Sequence, residues 1–147
     1  MNAGRFMAVT LASAVALAGC GGGDESPAPA EALTKEEFIA QADAICAASN
    51  GKFDADLEDL KAGGEPSQEE LMAFYGEEIV SLSKDEATQI DALAAPEGDE
   101  EEVDAIVTAL NAAVAEVESN PDVITGGEDP FQEYGTLAAD YGLAECR

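Results

Sequence analysis

Residues 34–60, TKEEFIAQADAICAASNGKFDADLEDL, decide the fold of this chain. Thr34 is followed three residues later by Glu37, which is the capping-box pattern that begins a helix. Apolar side chains then recur in steps of three and four, with Ser49 as a weak member, at Phe38, Ala42, Ile45, Phe53, Leu57 and Leu60. This spacing predicts a long amphipathic helix that ends at Gly63 and Gly64.

The same signals recur before a second helical stripe and a third. Ser67 and Glu70 form a second capping box, and Asp99 with Glu102 offers an N-cap for a third helix. The second stripe contains Leu71, Phe74, Tyr75, Ile79, Leu82, Ile90 and Leu93, and the third contains Val103, Ile106, Val107, Leu110, Val114 and Val117. Pro96 and Gly98 separate the two helices.

A fourth helix is predicted after residues 129–132, with Pro130 at its first helical position. Gly142 suits a left-handed cap at the end of that helix. The inward side chains are predicted to be Phe131, Tyr134, Leu137, Ala138 and Tyr141. No segment alternates with the period of two typical of strands, so we expect an all-α, antiparallel bundle of about four helices.

The amino-terminal segment is typical of a signal peptide. Arg5 precedes an apolar run of about 13 residues, which is too short to span a bilayer. The run closes with Leu17-Ala18-Gly19-Cys20, which resembles the lipobox of bacterial lipoproteins. We therefore expect a signal peptide over residues 1–19, lipid on Cys20, a flexible tether over 20–32 and a helical domain over 33–147. The alternative is an ordinary secretory signal that happens to be cut before a cysteine.

The other two cysteines, Cys46 and Cys146, are an even pair in the oxidising compartment that a secretory signal implies. We predict a disulfide that links the carboxyl-terminal tail to the first helix. The alternative is a pair of reactive thiols. It is less favoured because the chain has no CxxC motif and no basic residue close to Cys46 to lower the pKa of its thiol.

Charge and composition exclude several classes of function. The chain has 32 acidic and 6 basic residues, and because only Arg5 precedes Cys20, the mature part carries a formal charge of −27. Such a field repels nucleic acid and anionic headgroups, so we expect no nucleic-acid partner and attachment to the membrane through lipid alone. The chain has no histidine, which excludes histidine-dependent triads and histidine-ligated metal sites.

Acidic residues are clustered over 54–59 and 99–102. On a helix these carboxylates fan around the axis, so solvated helix surface is the favoured interpretation and specific cation binding the weaker one. We expect no catalytic, cofactor or metal residues and no enzymatic activity.

The two cysteine-bearing ends carry a resemblance to a known group of proteins. The segments 33–46, LTKEEFIAQADAIC, and 137–146, LAADYGLAEC, together with 93–96, LAAP, followed by 99–106, DEEEVDAI, resemble a family of small lipoproteins from actinobacteria. The resemblance implies an extracytoplasmic location and a helical fold, and it implies no activity. The turn over 126–129 is looser than that family leads us to expect.

Two functions remain open at the level of sequence. The first is a membrane-anchored extracytoplasmic interaction module without catalytic activity, whose partner would be an envelope protein with a basic surface. The second is a lipoprotein that binds a small ligand or a divalent cation.

Overall fold

A computed structural model of the chain describes residues 32–127 and 129–146. The elements are α1 (Lys35–Ala62), α2 (Gln68–Asp91), α3 (Glu100–Ser119), a 3₁₀ helix (Pro121–Thr125) and α4 (Gln132–Tyr141). No strand occurs within these two ranges, and none of the helices in them is long and apolar enough to cross a membrane. The prediction of an all-α antiparallel bundle is confirmed. The predicted signal peptide, Cys20 and the tether up to residue 31 lie outside the described residues.

Both predicted capping boxes are formed. The Thr34 hydroxyl accepts from the Glu37 amide at 3.2 Å, and the Glu37 carboxylate accepts from the Thr34 amide at 2.9 Å. Ser67 and Glu70 make the equivalent pair of bonds at 3.3 and 2.8 Å. Hydrogen bonds from the cap residue lower the pKa of both glutamates. The starts of α1 and α2 are therefore fixed by local chemistry.

The predicted cap of α3 is wrong in its chemistry. Asp99 stands directly before the helix, but its side chain makes no capping bond. Its carboxylate instead accepts from the Tyr141 hydroxyl at 2.9 Å and lies 3.4 Å from the Lys35 ammonium. Both contacts use the same oxygen, Oδ2, and the Asp99 backbone, with φ −105° and ψ 6°, lacks the extended conformation of the Thr34 and Ser67 caps.

The predicted start of α4 is also wrong, by two residues. Pro130 lies in a turn, and the first helical residue is Gln132. The Asp129 carboxylate accepts from the Phe131 amide at 2.9 Å, which closes a local Asx-type turn ahead of the helix. This turn delays the helix and places Phe131 beside the bundle core, against which it is half-buried.

Buried residues run along most of α3, from Val103 to Val117, but occupy only one half of α1 and of α2. In α1 the buried residues run from Phe38 to Cys46, and in α2 they run from Leu82 to Ile90. The rest of these two helices, residues 47–81, contains no fully buried side chain. The fourth helix has only ten residues and packs on α3, so it covers part of the length of α1 and α2, each about 40 Å. α1 and α2 are therefore covered more completely where α4 packs than over residues 47–81.

The carboxyl-terminal tail is fixed to α1 by a disulfide and by hydrogen bonds. Cys46 and Cys146 form a disulfide with a Cα–Cα distance of 5.1 Å, and both residues are 1% exposed. The Asp43 carboxylate accepts from the amides of Ala144 and Glu145 at 2.8 and 3.0 Å. The Asn50 amide donates to the Glu145 carbonyl at 3.0 Å. The predicted link between the tail and the first helix is confirmed.

The predicted left-handed cap at Gly142 is confirmed and lets the tail turn back on α4. Gly142 has φ +112°, and its amide donates to the carbonyls of Ala138 and Ala139. The Leu143 amide also donates to the Ala138 carbonyl, and its side chain is 2% exposed. This is the bonding pattern of a helix that ends in a Schellman-type turn.

Candidate functional site

A cleft of about 330 Å³ opens where α4 begins, between α1, α2 and α3. Most of its wall is carbon, contributed by Phe53, Ile79, Leu82, Leu110 and Phe131. It exists because the short fourth helix and the turn before it do not fill the space beside the longer helices. Its volume lies at the lower end of the range, about 300–1,000 Å³, that is typical of small-molecule sites.

The polar centre of the cleft is a pair formed by Glu86 on α2 and Tyr134 on α4. The Tyr134 hydroxyl donates to the Glu86 carboxylate at 2.7 Å. Glu86 is 8% exposed and is the only buried charged residue of the described chain. The Tyr134 oxygen also lies 3.7 Å from the Cys46 sulfur, so the pair sits against the disulfide.

Burial controls the protonation of both members of this pair. Burial raises the pKa of the Glu86 carboxyl, while hydrogen bonds from Tyr134 and Ser49 oppose that shift. Burial, reinforced by the charge of Glu86, raises the pKa of the Tyr134 hydroxyl far above its ordinary value. Tyr134 is therefore a permanent donor to Glu86 at physiological pH.

The electrostatic character of the cleft is acidic. Glu86 lies at its floor, and Asp129 and Glu145 also line it. No lysine or arginine lines the cleft among residues 32–127 and 129–146. On α2, Lys84 is held by Glu118 at 2.6 Å, and Lys52 on α1 is paired with Asp56 and Glu78. The Glu86 carboxylate is therefore hydrogen-bonded by the neutral hydroxyls of Tyr134 and Ser49, without a cationic partner among the described residues that line the cleft.

The site residues predicted from sequence have different locations. Cys46 and Cys146 come together in the disulfide, whose Cys46 sulfur contacts the Tyr134 oxygen behind the cleft wall, whereas Cys20 lies outside the described residues. The acids of 54–59 lie on the surface of α1, where Asp56 pairs with Lys52. In the described part of the chain, no three acidic or cysteine side chains converge closely enough to hold a metal ion.

Glu86 is a site residue that was not predicted, although the helical spacing contains a signal for it. The predicted stripe of α2 passes from Leu82 to Ile90, and Glu86 stands four residues from each. On a helix, that position lies on the same face as both neighbours. A glutamate in the middle of an apolar stripe indicates a buried carboxylate, but its partner Tyr134 is 48 residues away.

Comparisons of this chain with protein-family models, with curated proteins and with solved structures give no match. The resemblance to actinobacterial lipoproteins therefore stays a prediction.

Proposed function

We propose that this chain is a membrane-anchored, extracytoplasmic binding lipoprotein without catalytic activity, and that its ligand site is the cleft around Glu86 and Tyr134. The observation that carries the proposal is a concave, carbon-lined space with a single buried carboxylate at its floor. Sites for small ligands combine mostly apolar walls with a few fixed polar groups in this way. Burying the Glu86 carboxylate costs free energy of folding. Buried ionisable groups of this kind are found more often at functional sites than elsewhere.

The proposed location is supported by two independent features. The segment Leu17-Ala18-Gly19-Cys20 follows an apolar run, as expected for lipidation at Cys20. The Cys46–Cys146 disulfide is the kind of bond that persists in an oxidising compartment. Intact mass of the detergent-extracted protein tests the anchor: we expect a chain that starts at Cys20 and carries acyl groups, and an unmodified Cys20 would exclude it.

The binding proposal is tested with residues 20–147, in which Cys20→Ala removes the lipid site and every described residue is retained. Ligand-observed NMR is recorded with a mixture of small cationic, neutral and anionic organic compounds. Ser83 lines the cleft, so Ser83→Phe should fill it, while Ser81→Phe adds the same ring at an exposed position two residues away. Circular dichroism verifies that both variants are folded.

We expect at least one compound to bind the parent chain and the Ser81→Phe variant and to lose binding in the Ser83→Phe variant. If no compound of any charge binds the parent, or if both variants behave alike, the cleft is not a ligand site and the proposal fails.

A second candidate function is docking of an envelope protein that has a basic surface. The observation that favours it is an aromatic cluster of Phe53, Phe74 and Tyr75, whose ring centroids lie 5.6 to 5.9 Å apart and which stays half-buried. The strongly negative chain would steer a basic partner toward it. A photo-reactive residue at Tyr75 should crosslink a basic protein in cells, whereas one at exposed Thr108 should not. Equal crosslinking at both positions would refute this candidate.

A further inference from the structure

We infer that the cleft selects a small organic cation, namely an ammonium group carried on an apolar alkyl or aryl body. This inference rests on the proposed binding function and specifies the chemical class of the ligand. It follows from the pairing of Glu86, from the absence of basic groups along the described cleft and from the carbon walls around that carboxylate.

First, among the described residues, the Glu86 carboxylate has fewer hydrogen-bond donors than it has acceptor positions. A carboxylate has about four acceptor positions, and here the donors are the Tyr134 hydroxyl at 2.7 Å and Ser49. Both donors are neutral, so they bind the oxygens without balancing their charge. An ammonium brings up to three donors and the missing positive charge, so it can fill the remaining acceptor positions and neutralise the carboxylate at the same time.

The second step is the field around the entrance. Asp129 and Glu145 are the other ionisable groups that line the cleft beside Glu86 and Tyr134, and both are acids. A concave site with low-polarity walls focuses such a field and raises the local concentration of the opposite charge. Anionic ligands would be repelled by three carboxylates, and neutral ligands would gain no Coulomb attraction from them.

The third step is the chemistry of the walls. A hard metal ion requires six or more oxygen ligands, whereas Phe53, Leu82 and Phe131 offer carbon around Glu86. An alkyl or aryl body fills such a surface favourably, because apolar contact stabilises binding by about 25 cal/mol per Å² removed from water. The rings of Phe53 and Phe131 can also face a cation. Together these features fit an organic ammonium better than a metal ion.

The test compares matched ligands that differ only in charge. The probes are 2-phenylethylamine, 2-phenylethanol and phenylacetate, together with hexylamine and its alcohol, titrated by calorimetry into residues 20–147 carrying Cys20→Ala. The variants are Glu86→Gln and, as the matched control, Glu77→Gln, which makes the same change at an exposed position of α2. Backbone amide shifts of Ser49 and Tyr134 report whether binding occurs in the cleft.

We expect each amine to bind about tenfold or more tightly than its alcohol, because the ammonium adds a positive charge opposite Glu86 and more donors than a single hydroxyl. Glu86→Gln should abolish that preference, and Glu77→Gln should keep it. If alcohols bind as tightly as amines, or if Glu86→Gln keeps the preference, the inference of a cation is overturned while the binding function stands. If no probe of any charge binds and the mixed compounds also fail, both are overturned.

Discussion

The disulfide between Cys46 and Cys146 should account for a large share of the stability of this domain. It joins residues 100 positions apart, so breaking it frees a loop of about 100 residues in the unfolded chain. The chain-entropy relation assigns about 4.7 kcal/mol to a loop of that length. Domains of this size have a free energy of unfolding of about 5–15 kcal/mol. The core here contains several alanines, which bury little apolar surface, so the disulfide should supply a larger share of the total. At about 4 °C per kcal/mol, the melting temperature should fall by about 15–20 °C.

The measurement is urea and thermal unfolding of residues 20–147 with Cys20→Ala, followed by circular dichroism at 222 nm. Both sulfurs are buried, so the reduced protein is prepared by reduction in urea and refolding in reductant. Comparing oxidised and reduced protein isolates the crosslink, because the side chains are unchanged. The double variant Cys46→Ala/Cys146→Ala controls for other effects of the reductant and should not respond to it. A loss below about 1 kcal/mol on reduction would refute the chain-entropy reasoning for this fold.

Four further predictions concern local features. Thr34→Ala should lower the free energy of unfolding by about 1 kcal/mol, because an N-cap acceptor is lost, and an unchanged urea midpoint would contradict this. Gly142→Ala should cost about 1–3 kcal/mol in thermal unfolding, because φ is +112° there, and a neutral effect would show that the left-handed turn is not required. Tyr134→Phe should cost about 1–3 kcal/mol and more than Tyr141→Phe, because the carboxylate it leaves is the buried one; equal losses would be inconsistent with that difference. Burial raises the pKa of Glu86 in the folded state above its ordinary value of 4.5, so the stabilising effect of the protonated carboxyl is complete below that value and is lost as pH rises through the raised pKa. In urea unfolding at a series of pH values, wild type should therefore lose free energy of unfolding relative to Glu86→Gln as pH rises. A constant difference between the two proteins would refute the assignment.

The helices and their boundaries could largely be predicted from local sequence. Thr34 with Glu37 and Ser67 with Glu70 act within a single turn, so their capping boxes form wherever the helix forms. Gly142 is equally local, because its left-handed geometry follows from the lack of a side chain. The two errors are a cap bond that Asp99 does not make and a helix that begins two residues after Pro130. The Asp99 carboxylate instead contacts Tyr141, 42 residues away.

The candidate site could be predicted only in part. Glu86 is visible in the sequence as a charged residue within an apolar stripe, which indicates burial. Its donor and the cleft around it depend on how far the short α4 extends along the longer helices. How far α4 extends along the other helices depends on tertiary packing, so it cannot be predicted from the periodicity of a single helix.

The sequence by itself determined the all-α class, both capping boxes and the pairing of Cys46 with Cys146, because these follow from local periodicity, short-range hydrogen bonds and a simple count of cysteines. It also determined the acidic character of the chain. The tertiary structure alone decided that Tyr134 donates to Glu86, that the Asp99 side chain accepts from Tyr141 and makes no cap bond to α3, and that a cleft opens beside the disulfide. The physical reason is that these contacts join residues more than 40 positions apart, whose proximity arises only when helices of unequal length pack together.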